Sequence, residues 1–390
     1  MQSLHPFRSR YDVVIVGARC AGAATAFLLA RAGAKVLLVD RQAYGSDIMS
    51  THALMRTGVL QLHRWGLLPM VMAEGTPEIR YTTFHYGKEA LHLSIKPEHG
   101  VSYLCAPRRT VLDRVLVDAA RKAGAEVRHG VLLTDVEFDS GGQVVGVRMR
   151  DAGAREYAVR CDIVIGADGR QSTVAKLVNA EVYAESASSS ACVFGYFENL
   201  HCDGLHWHFA ENVAAGVIPT NHGQHCVFAS VPTEAFAGTF RKNVEFGFFR
   251  ILEANSLDLR EDVGRAHLVG RLRGFGGARG HLRKSHGPGW ALVGDAGYFK
   301  DPLTAHGITD ALRDAELLAR AVLHGGSGAL AAYQRERDAL SRPLFDVTEA
   351  IASFRWSLDE VKFLHTQLSA SMRAEADHVA GLSTPSTLAA

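Results

Sequence analysis

The residues Gly17-Ala18-Arg19-Cys20-Ala21-Gly22 form a turn bounded by glycines, and Asp40 follows at the end of the next apolar run. The surrounding stretch DVVIVGARCAGAATAFLLARAGAKVLLVD, residues 12–40, reads strand, tight turn, helix, strand. Residues of these types in this order suit a dinucleotide. Gly17 makes the tight turn, and Gly22 lets the helix pack closely. The helix N-terminus aims N–H groups and a positive dipole at a pyrophosphate, and Asp40 is placed for a ribose hydroxyl. Arg19 stands at the middle position, where glycine is usual. Its guanidinium can swing away or add a counter-charge to the pyrophosphate. An acid at position 40 disfavours a 2′-phosphate, so NADP is the least expected occupant of this turn. The competing reading is a βαβ unit that binds nothing; turn, small-residue helix and terminal acid at one spacing weigh against it.

Two further landmarks carry polar groups at strand ends. CDIVIGADGRQSTVAKLV puts Asp168 in a Gly166-Ala167-Asp168-Gly169 turn, and GWALVGDAGYFKDPLTAHGITDALRDAELLARAVL puts Gly294-Asp295 after an apolar strand. Taken singly, Asp295 could be a strand-end cap, Arg109 a surface ion pair and Asp168 an Asx-turn before Gly169. His206 and His208 have strand spacing, so they share one face with Trp207 on the other. As metal ligands they need a third partner, and no motif supplies one, so no metal site is expected. The six cysteines, at 20, 105, 161, 192, 202 and 226, contain no CxxC pair and read as buried thiols.

These groups must be held by definite elements. Val13 to Val16 is a strand buried on both faces, a helix runs from about Ala21 to Ala32, and Lys35 to Val39 is a second strand. Helices follow at about Met55–Trp65 and Thr110–Lys122, with strands between residues 81 and 104 and small strands after 125. Gly141-Gly142 marks a hairpin turn. A strand at Asp162–Ile165 runs into a helix near Ser172, and Trp290 to Val293 is a strand before a long helix opening near Gly307. Residues 190–285 read as an antiparallel sheet with insertions. Phe194, Tyr196, Phe197, Phe209, Phe246, Phe248 and Phe249 hint at an aromatic pocket, and core packing explains them equally well. The pattern beyond about 326 is helical, and GLSTPSTLAA at the end reads as a disordered tail.

The 390 residues exceed one simple core, so two domains or one elaborated domain are expected. Lys+Arg 42 against Asp+Glu 41 leaves a formal net charge of +1, without the basic footprint of a nucleic-acid binder. No apolar run is long enough to span a bilayer, and the first residues lack a secretory h-region, so a cytoplasmic protein with no integral membrane segment is expected.

The three landmarks, in this order, resemble the flavoprotein monooxygenase superfamily of the para-hydroxybenzoate hydroxylase fold. That superfamily includes geranylgeranyl-reductase-like enzymes and flavin-dependent halogenases. The resemblance covers about residues 11–325, and APRRTVLDRVLVDAARKAGAEV matches a fourth segment. It implies an α/β fold: an FAD-binding Rossmann-like domain interleaved with an antiparallel-sheet substrate domain, and a helical C-terminus. The implied FAD domain is discontinuous (1–80, 105–185, 286–325). The substrate domain takes 81–104 and 186–285, the helical region 326–380 and the tail 381–390.

The resemblance also implies roles. Gly17, Ala21 and Gly22 line the pyrophosphate, and Ala18 and Arg19 of the same turn are further cofactor-binding candidates. Asp40 takes the adenosine ribose, with Arg41 beside it. Arg109 reaches the ribityl-phosphate region, Asp168 belongs to a motif linked to FAD and transient nicotinamide contact, and Asp295 accepts from a ribityl hydroxyl. Pro302 and Gly307 shape the turn beside the flavin ring, with the N–H groups of Ile308 and Thr309 facing its pyrimidine edge. A helix N-terminus there suits the anion of reduced flavin. His52 falls near the ring by family register, and His306 sits one residue before the helix opening. His208 would face it if that side of the sheet roofs the flavin. These three are the candidate catalytic residues.

The implied cofactors are FAD, with NADPH or NADH as a transient reductant, since one dinucleotide turn is visible. The implied reaction is oxygenation by O2 of an apolar or aromatic metabolite, of the secondary-metabolism kind, through a C4a-hydroperoxyflavin, in a monomer or homodimer. Alternatives are an ene-reductase of the geranylgeranyl reductase type, a halogenase (GVIPT at 216–220 lacks the tryptophans of tryptophan halogenases) and a non-enzymatic FAD- or ADP-binding module. Two departures stand out: Arg19 in the turn, and Ser50-Thr51-His52 where aromatic hydroxylases commonly carry an arginine.

Overall fold

In the computed structural model, which describes residues 7–383, the chain leaves and re-enters its first sheet repeatedly. β1 (Arg10–Val16), α1 (Cys20–Arg31) and β2 (Val36–Asp40) make the opening βαβ unit. α2 (Arg56–Arg64) and α3 (Leu68–Ala73) lead out to β3 (Tyr81–Tyr86) and β4 (Glu89–Ser94), which belong to a second sheet. α4 (Arg109–Lys122) and β5 (Glu126–His129) bring the chain back. The hairpin β6 (Val131–Phe138)–β7 (Val144–Asp151), then β8 (Glu156–Gly166) and α5 (Thr173–Leu177), follow.

β9 (Val182–Glu185) precedes the bulk of the second sheet: β10 (Ser190–Glu198), β11 (Leu205–Ala210), β12 (Val213–Pro219) and β13 (His225–Pro232). Helices α6 (Phe236–Phe240), α7 (Val244–Asn255) and α8 (Leu257–Arg265) precede its last strand, β14 (His267–Phe275). β15 (His281–Arg283), β16 (His286–Gly287), β17 (Trp290–Leu292) and β18 (Tyr298–Phe299) return the chain. It then runs into α9 (Gly307–His324), α10 (Ala329–Ala352) and α11 (Leu358–Gly381). β9, β15 and β18 form a small third sheet. The expected tail lies outside the described residues from 384 on.

The first sheet has the order β16-β17-β8-β1-β2-β5, with the β6–β7 hairpin attached through β8. β17, β8, β1, β2 and β5 run parallel, and their apolar residues are covered on both faces, which explains the unbroken VVIV and VLLV runs. Register aligns the carboxyl ends: Val16 pairs with both Val39 and Gly166, and Leu292 pairs with Gly166. The turns after β1, β8 and β17 therefore open at one edge, the position where open α/β sheets bind ligands.

The second sheet has the order β14-β10-β13-β12-β11-β3-β4 and is antiparallel except between β11 and β3. One face carries Phe194, Tyr196, Trp207, Phe209 and Phe228 and packs on Leu303, Ala305 and the last two helices. The opposite face carries Val193, Phe197, Ala215, Val217 and Val227 and packs on α6 to α8. Sequence patterning had offered only strands with insertions here. The three helices exist because a half-buried sheet must cover its second face. The starts of α7 and α8 are set locally, by the Asn243 side chain accepting from Phe246 N and Ser256 accepting from Leu259 N. Phe246 and Phe249 thus lie on α7 rather than in a strand, and Phe246 is 63% exposed. Among the described residues no helix is long and apolar enough to cross a membrane.

Candidate functional site

The three landmark turns meet in space. Gly17 has φ +105, and a Cβ placed on it would lie 2.4 Å from Ala167 O. One on Gly22 would lie 1.8 Å from Gly17 O and 3.0 Å from the Ala167 Cβ, and one on Gly294 would lie 2.8 Å from the Ala21 Cβ. These positions are glycine because backbone or side chain from another landmark already fills the space. The N-terminus of α1 carries no side-chain cap and no acid in its first turn. Its first amides lack intrahelical partners, which leaves donors for a phosphate. The glycine-tight turn and uncapped amides fit a dinucleotide such as FAD.

Arg19 turns away from those amides. Its guanidinium donates to Ser46 O, Ser46 Oγ and Asp113 Oδ2, at 3.3, 3.2 and 3.2 Å. Asp113 also takes Nε and Nη2 of Arg109, at 3.1 and 3.0 Å, and the Cys20 thiol at 3.1 Å. One carboxylate on α4 therefore holds both arginines. Sequence reasoning passed over Asp113, although its place four residues after Arg109 on a helix face was the available signal. Arg109 also lies in the field of Asp295.

Asp40 spends one carboxylate oxygen on Ala18 N and the other on Gln42 N, both at 2.7 Å. It closes the turn onto the end of β2, and a ribose hydroxyl would compete for remaining lone pairs. Ala18, Arg19, Asp40, Tyr44, Ser46 and His129 line a recess there, and Arg41 is exposed beside it. Asp168 is engaged as a cap: it accepts from Ser172 Oγ, and from Thr173 N and Val174 N at 2.6 and 3.3 Å. These bonds reach five and six residues on, so they are not the Asx turn before Gly169 weighed from sequence; with the Ser172 cap they hold the start of α5.

Asp295 follows β17. Burial pushes its carboxyl up to about 6, against the opposing pull of Arg109, Lys300 and Arg170. Beyond it, Pro302 opens a short turn capped by Asp301, whose Oδ1 accepts from Leu303 N at 2.9 Å. Ala305 is left-handed at φ +51, and α9 opens at an exposed Gly307 with no side-chain cap. Ile308 is half-buried, while Thr309 is buried and accepts from Met55 N through Oγ1 at 3.1 Å. That bond ties the His52 segment to this helix start.

His52 is fully buried with φ +64, and its Nε2 hydrogen-bonds the hydroxyl of Tyr196. Burial, then the nearby cations Arg108 and Arg109, hold its imidazole well below its usual range, so it is neutral. Burial pushes the Tyr196 hydroxyl up. The Arg108 guanidinium sits 3.6 Å from the Tyr196 ring centroid. Arg108 is fixed by Asp47 at 3.2 Å and Gln224 at 3.0 Å. The sequence had offered Tyr196 only as one aromatic among seven and had not singled out Arg108.

His306 precedes α9 and is buried, with Nε2 2.8 Å from Glu375 Oε2. Glu375, on α11, also takes Arg313 Nη1 at 2.7 Å. Arg313 binds Asp314 and Ser341 Oγ as well, and Lys300 pairs with Asp310. This buried ion cluster joins the turn before α9 to the C-terminal helices.

His208 is not brought to this group. Strand alternation puts Trp207 and Phe209 on the inner face with Tyr196, so His206 and His208 point to the face covered by α7 and α8. The face that holds Tyr196 is the one against His52.

A family model described as FAD binding domain matches residues 10–348. The menaquinone reductase of Mycolicibacterium smegmatis is 28% identical over 330 residues, 82% of this chain and 78% of that protein. Digeranylgeranylglycerophospholipid reductase 2 of Methanococcoides burtonii is 26% identical over 335 residues, 82% and 77% of the two chains. Among solved structures, the flavin-dependent brominase Bmp2 has a TM-score of 0.80 at 18% identity, covering 97% of each chain. Aklavinone-11 hydroxylase with FAD and aklavinone has a TM-score of 0.69 at 21% identity, covering 88% of this chain and 69% of that one. The structural likenesses fix the fold, and the FAD domain expected from the turns is the family that matches: this chain belongs to the FAD binding domain family, within the flavoprotein monooxygenase superfamily.

Proposed function

We propose that this FAD-dependent oxidoreductase is a monooxygenase that uses NADPH or NADH and O2 to oxygenate an apolar, electron-rich small molecule. Bound FAD, once reduced, supplies the oxygen chemistry: one atom of O2 goes to substrate and the other leaves as water. The uncapped starts of α1 and α9 supply dipoles for its phosphates and its reduced ring. Asp295 and Arg109 hold the ribityl end between them. The observation that carries the reaction type is the buried His52–Tyr196 pair beside Arg108. Both groups are held neutral, so the pair can hydrogen-bond and orient a substrate hydroxyl, and the Arg108 guanidinium beside it favours that hydroxyl's anion, the electron-rich form an electrophilic oxygen needs. The aromatic inner face of the second sheet excludes water around that site.

A second reading is reduction of a carbon–carbon double bond. It is favoured by the curated relatives, which are named as reductases of menaquinone and of a digeranylgeranyl lipid. Against it, a double bond needs a willing acid, and a tyrosine pushed up by burial is a poor one. Anaerobic and aerobic turnover with NADPH, scored on phenolic and polyprenyl ligand panels, separates the two. Oxygen uptake with labelled oxygen in the product supports the monooxygenase. Full turnover without oxygen establishes the reductase instead.

A further inference from the structure

We propose that His85, His206 and His208 form a binding site for a divalent transition-metal ion of the zinc class, outside the flavin cleft and independent of the flavin reading. The sequence supplied two of these ligands at strand spacing and no third. The third comes from β3, which pairs in parallel with β11 so that His85 stands opposite His208. One ring nitrogen from each histidine lies within 4.8 Å of the other two. A tetrahedral ion with metal–nitrogen bonds of about 2.0–2.1 Å needs ligand nitrogens about 3.4 Å apart. His85 Nε2 and His206 Nδ1 are already 3.1 Å apart.

Three features mark this as a ligand set rather than stray histidines. Asp203 stands 2.8 Å from His206 Nε2 and 4.0 Å from His92. It fixes the proton of His206 on Nε2 and frees Nδ1 to bind a metal, the outer carboxylate usual behind metal-bound imidazoles. His208 is buried, and its Nδ1 has no hydrogen-bond partner. A cavity of about 260 Å³ is lined by all three histidines with Cys202, Asp258 and Asp262, leaving room for a water in the fourth position. As they stand, the His85 and His208 rings stack with centroids 4.0 Å apart. Binding turns one ring out of that stack into the cavity.

The test uses untagged, FAD-loaded, full-length protein freed of metal by chelator and titrated with zinc(II) by equilibrium dialysis. The expected result is one zinc per chain. His85→Ala, His206→Ala and His208→Ala should each weaken binding more than tenfold, and Asp203→Asn about tenfold. His99→Ala, in the separate Glu98–His99–Asp377 group, should change nothing. Flavin content and near-ultraviolet circular dichroism check the fold, and His206→Gln replaces any alanine variant that fails that check. Cobalt(II) gives a second readout: an absorption band of tetrahedral intensity, lost in the same variants. Zinc binding unchanged by substitution of any of the three histidines, no zinc retained by the wild type, or a weak octahedral cobalt band would each overturn the site.

Discussion

Arg19 stands 3.2 Å from Asp113, so the arginine in the glycine turn leans on α4 and leaves the α1 amides clear. Arg19→Gly should therefore keep the fold and change FAD affinity by less than about tenfold. Removing Asp113 is a different matter, because Arg109, only 11% exposed, would lose its partner as well. Asp113→Asn should cost about 3 kcal/mol, the scale for a buried charge left unpaired. Thermal unfolding and FAD titration of both variants check this. Equal destabilisation would show that Asp113 does not hold the two arginines together.

Asp295→Ala should weaken FAD binding by about tenfold, the worth of one hydrogen bond to a charged group. Asp295→Asn adds a pH signature. The folded carboxyl is raised to about 6 from 3.8, so its protonated form is the one the fold favours. Relative to Asn, wild-type apoprotein should be equally stable near pH 4 and lose ground as pH rises through 6. Denaturant melts across that window measure it, and a constant difference would place Asp295 in water rather than in a dry site.

Tyr196→Phe should lower turnover about 100-fold, the upper range for loss of a hydrogen bond to a charged group, with flavin content unchanged. His52→Gln should resemble it. Steady-state rates at matched FAD occupancy decide the matter; full activity in Tyr196→Phe would reduce the pair to a packing feature.

Glu375→Gln leaves Arg313 and His306 facing a neutral amide and should cost about 3 kcal/mol at pH 7. Against the upward push of burial, His306 and Arg313 hold the native carboxyl below its usual 4.5. Its stabilisation is present above pH 4.5 and fades as pH falls through the lowered folded value. The gap between wild type and variant should therefore be full at pH 7 and narrow below pH 4.5, as read by urea unfolding. A gap independent of pH would assign the loss to shape alone.

The parallel core was readable because its signals are local. β1, α1 and β2 begin and end within a few residues of expectation, since glycine, alanine and unbroken valine-rich runs decide them without distant help. The strand-end turns at Gly166 and Gly294 were legible for the same reason. What escaped was set at a distance. Asp113 matters through Arg19, on another element. Tyr196 matters through His52, 144 positions away. The three helices over the second sheet were hidden because patterning showed a face needing cover without saying what supplied it. His208 kept its strand spacing but belonged to the outer face, a choice that only the pairing of whole strands settles.

The hydrogen bond from His306 to Glu375 joins the turn before α9 to a helix that closes the described chain. The final helix is thus a keystone rather than an appendage. Clipping it would strip the counter-ion from the doorway of α9 and uncover apolar residues on the inner face of the second sheet, so shortened versions made for convenience would lose both their grip on that doorway and part of their core.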